Sequence, residues 1–256
     1  MPYYKNINVL YIHIPKCGGS SIEASLSIAD NSSEILPRGP RFSGLQKILA
    51  NSKFFEYFLN SRNLRKRKQM SANSSGLFGF GGIEFLQHLT ADEIIGLNYL
   101  SLRLARSSLS FCTVRHPYSR LVSLYNYWAG SFGLDFDEFV FRSLDSPNDI
   151  GLSVIHRRHL LPQSAFFETK YDFSVKLLRL ESMESDLATD QFSGNLGLML
   201  DPQLILNRSK PKNNRLPVSV SSKTLDLVDR FYGRDFELLG YSRDPQPFFA
   251  VDGVSL

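Results

Sequence analysis

The segment His13-Ile-Pro-Lys-Cys-Gly-Gly-Ser-Ser21 gathers the residue types that hold an anion. A helix start leaves backbone N–H groups without intrahelical partners, and the helix dipole adds partial positive charge there. Gly18 and Gly19 let the backbone curl tightly and approach a ligand with no Cβ in the way. Lys16 adds a full charge, and Ser20 and Ser21 add hydroxyl donors. Together with Cys17 they make a loop suited to cradling a phosphate group. A tight turn with an exposed lysine is the plain alternative, since glycine pairs often precede helices. The loop differs from the G-x-x-x-x-G-K-[ST] pattern of ATP-type loops, because the lysine comes before the glycines. At the end of the second clear strand, where a magnesium-binding acid would help a kinase, the chain has Arg115.

That second strand opens another constellation, Phe111-Cys-Thr-Val-Arg-His-Pro-Tyr-Ser-Arg-Leu-Val-Ser-Leu-Tyr125. Arg115 stands at a strand's C-terminal edge, where α/β folds place their ligands. Its guanidinium matches a phosphate in bidentate fashion. Ser123 lies eight residues on, in the helix that follows. By itself Ser123 reads as a surface residue, and Arg115 can equally pair with a carboxylate. A reaction that needs a base near neutral pH favours histidine. The chain has five, at 13, 88, 116, 156 and 159. His13 falls in a strand, His116 in the arginine motif, and His156 and His159 on a helix with Arg157 and Arg158. His88 sits between a strand end and a capped helix, a place where active-site side chains are often displayed.

Positioning these groups requires strands that alternate with helices. Asn8–Ile14 reads as a buried strand, followed by a helix capped by Ser20 or Ser21, with Ile22, Leu26 and Ala29 as its inner stripe. Leu45–Leu59 reads as a helix, Ser71–Gly82 as a Ser/Gly loop and Ile83–Gln87 as a short strand. Thr90-Ala-Asp-Glu93 is a capping box that opens a helix reaching about Arg106. Leu109–Val114 is a clear core strand, and a helix from Ser119 carries Leu121, Leu124, Tyr125 and Trp128 at helical spacing. A helix over Asp135–Leu144, a strand over Phe173–Leu180 and a helix near Ser182–Leu187 follow. Residues 202–218 form a Pro-rich basic loop, and Ser222–Phe231 an amphipathic helix. The pattern predicts an α/β fold with a central parallel sheet flanked by helices. It forms a single domain over residues 1–256, with a less regular insertion at about 30–82.

Composition narrows the function classes. Apolar residues make up 43% of 256, enough for one full core. The net charge of +4 is unevenly placed, in Arg62, Arg65, Lys66, Arg67 and Lys68 and again in Arg208, Lys210, Lys212 and Arg215. Such runs draw in anionic substrates or are simply solvated. No aromatic-basic interleaving or recognition helix points to nucleic acid, and no apolar run is long enough to span a bilayer. Two cysteines and no signal-peptide pattern point to the cytoplasm and argue against a disulfide or zinc framework.

His13-Ile-Pro-Lys-Cys-Gly-Gly-Ser-Ser21, followed about 100 residues later by the Arg115 motif, resembles the sulfotransferases that use 3′-phosphoadenosine 5′-phosphosulfate (PAPS). Within them it resembles the carbohydrate-type branch of the heparan sulfate 2-O- and chondroitin sulfotransferases. The likeness extends in outline to Leu161-Pro-Gln163 and Tyr232-Gly-Arg-Asp-Phe-Glu-Leu-Leu-Gly-Tyr241. It implies a P-loop-NTPase-like architecture in which Lys16, Cys17, Gly18, Gly19, Ser20 and Ser21 grip the 5′-phosphosulfate. Arg115 and Ser123 grip the 3′-phosphate of the product nucleotide PAP. Lys16 would also act catalytically, on the leaving phosphate, and His88 as the base. PAPS would be the co-substrate without a metal, and a hydroxyl-bearing acceptor such as an anionic saccharide the partner. Cys17 replaces the usual threonine, which would make the loop sensitive to thiol reagents, and His116 replaces a common aspartate. The alternative is a nucleotide-binding protein of the same fold without catalysis, which would need no His88.

Overall fold

The computed structural model describes residues 3–30, 88–145, 154–189 and 218–251, with isolated positions between 190 and 200. The expected helix at Leu45–Leu59, the Ser/Gly loop, the strand at Ile83–Gln87 and both basic clusters lie outside the described residues. The described chain forms two compact units, residues 1–113 with 166–206 and residues 114–165 with 207–256.

The first unit holds a four-stranded sheet built from β1 (Tyr3–Tyr4), β2 (Val9–Ile12), β3 (Leu109–Val114) and β4 (Lys176–Arg179), side by side in that order. β2 and β3 run parallel, with Val9 opposite Leu109 and Ile12 opposite Cys112. Every residue of β2 is buried, as is β3 from Ser110 onward. Burial on both faces is why the two read as continuous apolar runs. β1 pairs antiparallel with β2, so the sheet is mixed. Two residues are too short to leave a period in the sequence. Helix α1 (Gly19–Ala29) lays Ile22 and Leu26 into a core with Tyr11, Phe111 and Leu178. Ser25 is buried in the same helix, whereas Ala29 is half-buried.

The helix expected from the capping box to about Arg106 is two helices. In α2 (Ala91–Gly96) the box is complete: Glu93 N donates to Thr90 Oγ1 (3.2 Å), and Thr90 N donates to Glu93 Oε2 (2.9 Å). The chain then turns through Asn98, whose φ of +55° is a left-handed value that asparagine tolerates better than most residues. Ser101 caps a new helix, α3 (Leu102–Ser107), by accepting from Leu104 N. Beyond it the expected strand over Phe173–Leu180 is trimmed to β4, and a short helix, Met183–Leu187, follows.

The second unit is mostly helical. α4 (Pro117–Phe132) starts two residues before Ser119, at a proline whose missing N–H costs nothing in a first turn. Tyr118, Leu121, Leu124 and Trp128 form its buried face. α5 (Phe136–Val140) is capped by Asp135, which accepts from Glu138 N at 2.8 Å, and passes into a π-helical turn over Phe141–Asp145. Two short helices, Val154–Leu160 and Ser164–Phe167, come next. α6 (Ser222–Leu239) continues past the expected end at Phe231 because Gly233 is absorbed into it, and Gly240 at φ +68° ends it. Strands β5 (Val218–Val220) and β6 (Phe249–Val251) pair parallel. Phe139, Tyr232, Phe236 and Phe249 fill the core between these elements. Among the described residues no helix is long and apolar enough to cross a membrane.

Candidate functional site

In the first unit the loop after β2 ends in two residues with left-handed backbone, Lys16 at φ +66° and Gly18 at φ +79°. A left-handed lysine costs on the order of 1–2 kcal/mol, which marks the loop as shaped for more than connection. The N-cap is Gly18, two residues before Ser20 and three before Ser21, the serines expected to cap. Ser20 and Ser21 therefore fall in the first turn, among the N–H groups that an anion would meet. The two glycines have separate reasons. Gly18 needs its positive φ, and a Cβ there would press on Leu180 Cδ1 at 2.9 Å. At Gly19 a Cβ would overlap the His13 imidazole.

That imidazole is part of the site's frame. His13 is buried, and its Nδ1 lies 2.9 Å from Glu23 Oε1 on α1. A carboxylate accepts, so Nδ1 carries the proton. His88 meets the same segment: its Nδ1 is 3.1 Å from the backbone oxygen of His13, and the two rings stand edge to face at 4.6 Å. A carbonyl can only accept, so Nδ1 of His88 must donate. In the neutral ring the lone pair then resides on Nε2, the tautomer that a base needs. The structure thus brings Lys16, Gly18, Gly19, Ser20, Ser21 and His88 into one neighbourhood. His13 packs and hydrogen-bonds, as its place at the strand end suggests, but its partner Glu23 was missed in sequence reading; the signal is an acidic residue one turn into a helix whose start is packed by a histidine.

Cys17 departs from expectation. It is fully buried, with Sγ 3.6 Å from the Pro15 oxygen, so the loop's thiol is shielded from reagents. Cys112 is fully buried too, and burial first, then the neighbouring Cys17, pushes its thiol well above the usual range. Both are free thiols.

In the second unit Arg115 follows the last residue of β3 and is held from three directions. Its N–H donates to Gln163 Oε1 (2.9 Å), its C=O accepts from Gln163 Nε2 (2.7 Å), and its Nε donates to Ser119 Oγ (2.8 Å). Gln163 and Ser164 in turn donate their backbone N–H groups to the two oxygens of Asp235, at 2.7 and 2.8 Å. Gln163 and Asp235 are both fully buried. Arg120 ties down the preceding turn through the carbonyls of His159 and Leu161, and Tyr232 through that of Leu160. The two stretches that sequence reading left without a role, Leu161–Gln163 and Tyr232–Tyr241, thus meet beneath Arg115. His116 is structural: its Nε2 donates to the Ser242 carbonyl (3.1 Å), and its ring lies 4.1 Å from that of Phe248.

Above this frame is a pocket of about 250 Å³ lined by Arg115, Ser119, Val122, Ser123, Asn126 and Phe248 with Pro247. Ser119, Ser123 and Asn126 recur along one face of α4, and Arg115 stands two residues before its first turn, bonded to Ser119. A larger hollow of about 480 Å³ in the first unit includes Arg106, Ser108, Tyr171 and Asp172. It adjoins the start of β3 rather than its end, and Arg106 already bridges Asp172 at 2.5 Å.

The first unit thus carries a glycine loop at a helix start after one parallel strand, and the second an arginine-lined pocket after the next. The model of the sulfotransferase family matches residues 3–242, and the chain belongs to that family. Neither a curated protein nor a solved structure matches it. The α/β architecture is the family's, and its chemistry is transfer of a sulfuryl group to a hydroxyl acceptor.

Proposed function

We propose that the protein transfers the sulfuryl group of PAPS to a hydroxyl of a carbohydrate or glycoconjugate, with His88 as the base. The tautomer of His88 carries this reading. Its Nδ1–H is committed to the His13 carbonyl, on the strand end that leads into the glycine loop, so Nε2 is the basic nitrogen. In the step, the acceptor oxygen attacks sulfur as its proton passes to His88 Nε2. The bond between sulfur and the bridging oxygen breaks on the opposite side, and PAP leaves with the electron pair. Lys16 and the first-turn N–H groups of α1 stabilise the charge that grows on that oxygen. Gly18, Gly19, Ser20 and Ser21 hold the 5′-phosphosulfate, with Cys17 buried beneath the loop, and Arg115 with Ser123 holds the 3′-phosphate.

An acceptor screen with sulfur-labelled PAPS tests the proposal. Neutral and acidic glycosaminoglycan oligosaccharides, a simple phenol and a tyrosine peptide would be offered side by side. Label should enter a saccharide, and His88→Ala should lower its turnover by about 10²–10⁴-fold while PAP affinity is kept. Label on the phenol or the peptide alone would reject the acceptor class. Unchanged turnover in His88→Ala would remove His88 from the chemistry.

A further inference from the structure

We infer that the Gln163 carboxamide is the positioning group that lets the Arg115 pocket tell a 3′-phosphorylated nucleotide from one with a bare 3′-hydroxyl. The inference rests on the proposed assignment of that pocket to the 3′-phosphate. Arg115 lies one residue past β3, where its backbone N–H and C=O have left the strand ladder. A single buried side chain takes both of them. Gln163 Oε1 accepts from Arg115 N, and Gln163 Nε2 donates to Arg115 O, as the backbone of a neighbouring strand would. Only glutamine or asparagine carries a donor and an acceptor in one planar group that can do this. Gln163 is itself fixed, because Asp235 receives both its N–H and that of Ser164.

The consequence falls on the guanidinium. With the arginine backbone clamped and Nε bonded to Ser119 Oγ, the side chain is stiffened at both ends. The guanidinium so oriented offers the planar fork of donors that phosphate oxygens match. An arginine on an unclamped loop would sample other rotamers and lose that selectivity before it lost general attraction for anions. The residue touches no ligand and acts only through Arg115. Its signature is therefore a change in discrimination rather than a uniform change in affinity.

Calorimetric titrations of the full chain with PAP and with adenosine 5′-phosphate measure that discrimination. The wild type should prefer PAP by about 10–100-fold, as expected for charge-assisted contacts to one phosphate. Arg115→Ala should abolish the preference. Gln163→Met, of similar volume but without the amide, should lose about tenfold of it, with adenosine 5′-phosphate affinity within about twofold of wild type. Gln163→Glu keeps the acceptor and removes the donor, so its loss should be partial; it decides the matter if the methionine variant does not fold. Because each ratio comes from one sample, an inactive fraction cancels. If the wild type shows no preference, the assignment of the pocket fails and the inference with it. If wild type and Arg115→Ala behave as expected but the Gln163 variants keep the full preference, the inference alone is overturned.

Discussion

Glycine, histidine and glutamine each do a narrow task in this chain. Gly19 is glycine because the His13 ring occupies the space a Cβ would take, and that ring is held in turn by Glu23. The pair is size-matched, so Gly19→Ala should destabilise by about 1–3 kcal/mol through overpacking. Removing the ring with His13→Ala should make room. Thermal melts of the two single variants and the double should show a favourable coupling of about 0.5–3 kcal/mol. Strict additivity would mean that the imidazole does not wedge against Gly19. The same histidine lends its carbonyl to His88, so one residue sets both the packing of the glycine loop and the tautomer of His88. Cys17, read as a reactive feature from its place in the motif, is buried instead. A residue's type says what it can do, and only its surroundings say whether a reagent can reach it.

At the scale of elements, the sequence was legible wherever one local rule dominated. β3 lies where a short apolar run rich in β-preferring residues put it, and Thr90 and Glu93 form the capping box that their spacing announced. Rules in competition misled. The helical period continued past Gly96, yet Asn98 turns left-handed and Ser101 recaps, so one expected helix is two. The helix expected over Ser222–Phe231 runs on through Gly233 to Leu239, because Tyr232, Phe236 and Leu239 gain more from burial than one glycine costs, about 1 kcal/mol. Of the candidate sites, the glycine loop and Arg115 with Ser123 could be proposed from the sequence because their residues are close in the chain. The Gln163–Asp235 frame was not, since those residues act across 72 positions and no local period marks such a bond.

For the whole molecule, both units bury tyrosine. The Tyr11 hydroxyl bonds Thr113 Oγ1 at 2.7 Å inside the first unit, and Tyr232 bonds the Leu160 carbonyl inside the second. Burial pushes both phenols well above the usual value near 10. The folded state therefore keeps these protons to a higher pH than the unfolded chain does. Their contribution is intact below about pH 10 and is lost as pH climbs from there towards the folded values. The melting temperature should begin to fall from about pH 8.5, where the unfolded Cys112 thiol titrates, and fall more steeply above about pH 10, with the tyrosinate absorbance of Tyr11 and Tyr232 appearing only on unfolding. Tyrosinate from Tyr11 or Tyr232 in the folded state would contradict that burial; Tyr11→Phe and Tyr232→Phe identify their share of the signal. On the proposed function, the chain binds the PAPS nucleotide through a loop of sulfotransferase rather than ATP type. Thermal shift with PAP, ADP and magnesium-ATP tests it most directly. PAP at a hundredfold excess over its dissociation constant should stabilise the protein by about 2.7 kcal/mol, with little or no shift from the other two. Stabilisation by magnesium-ATP and none by PAP would contradict it.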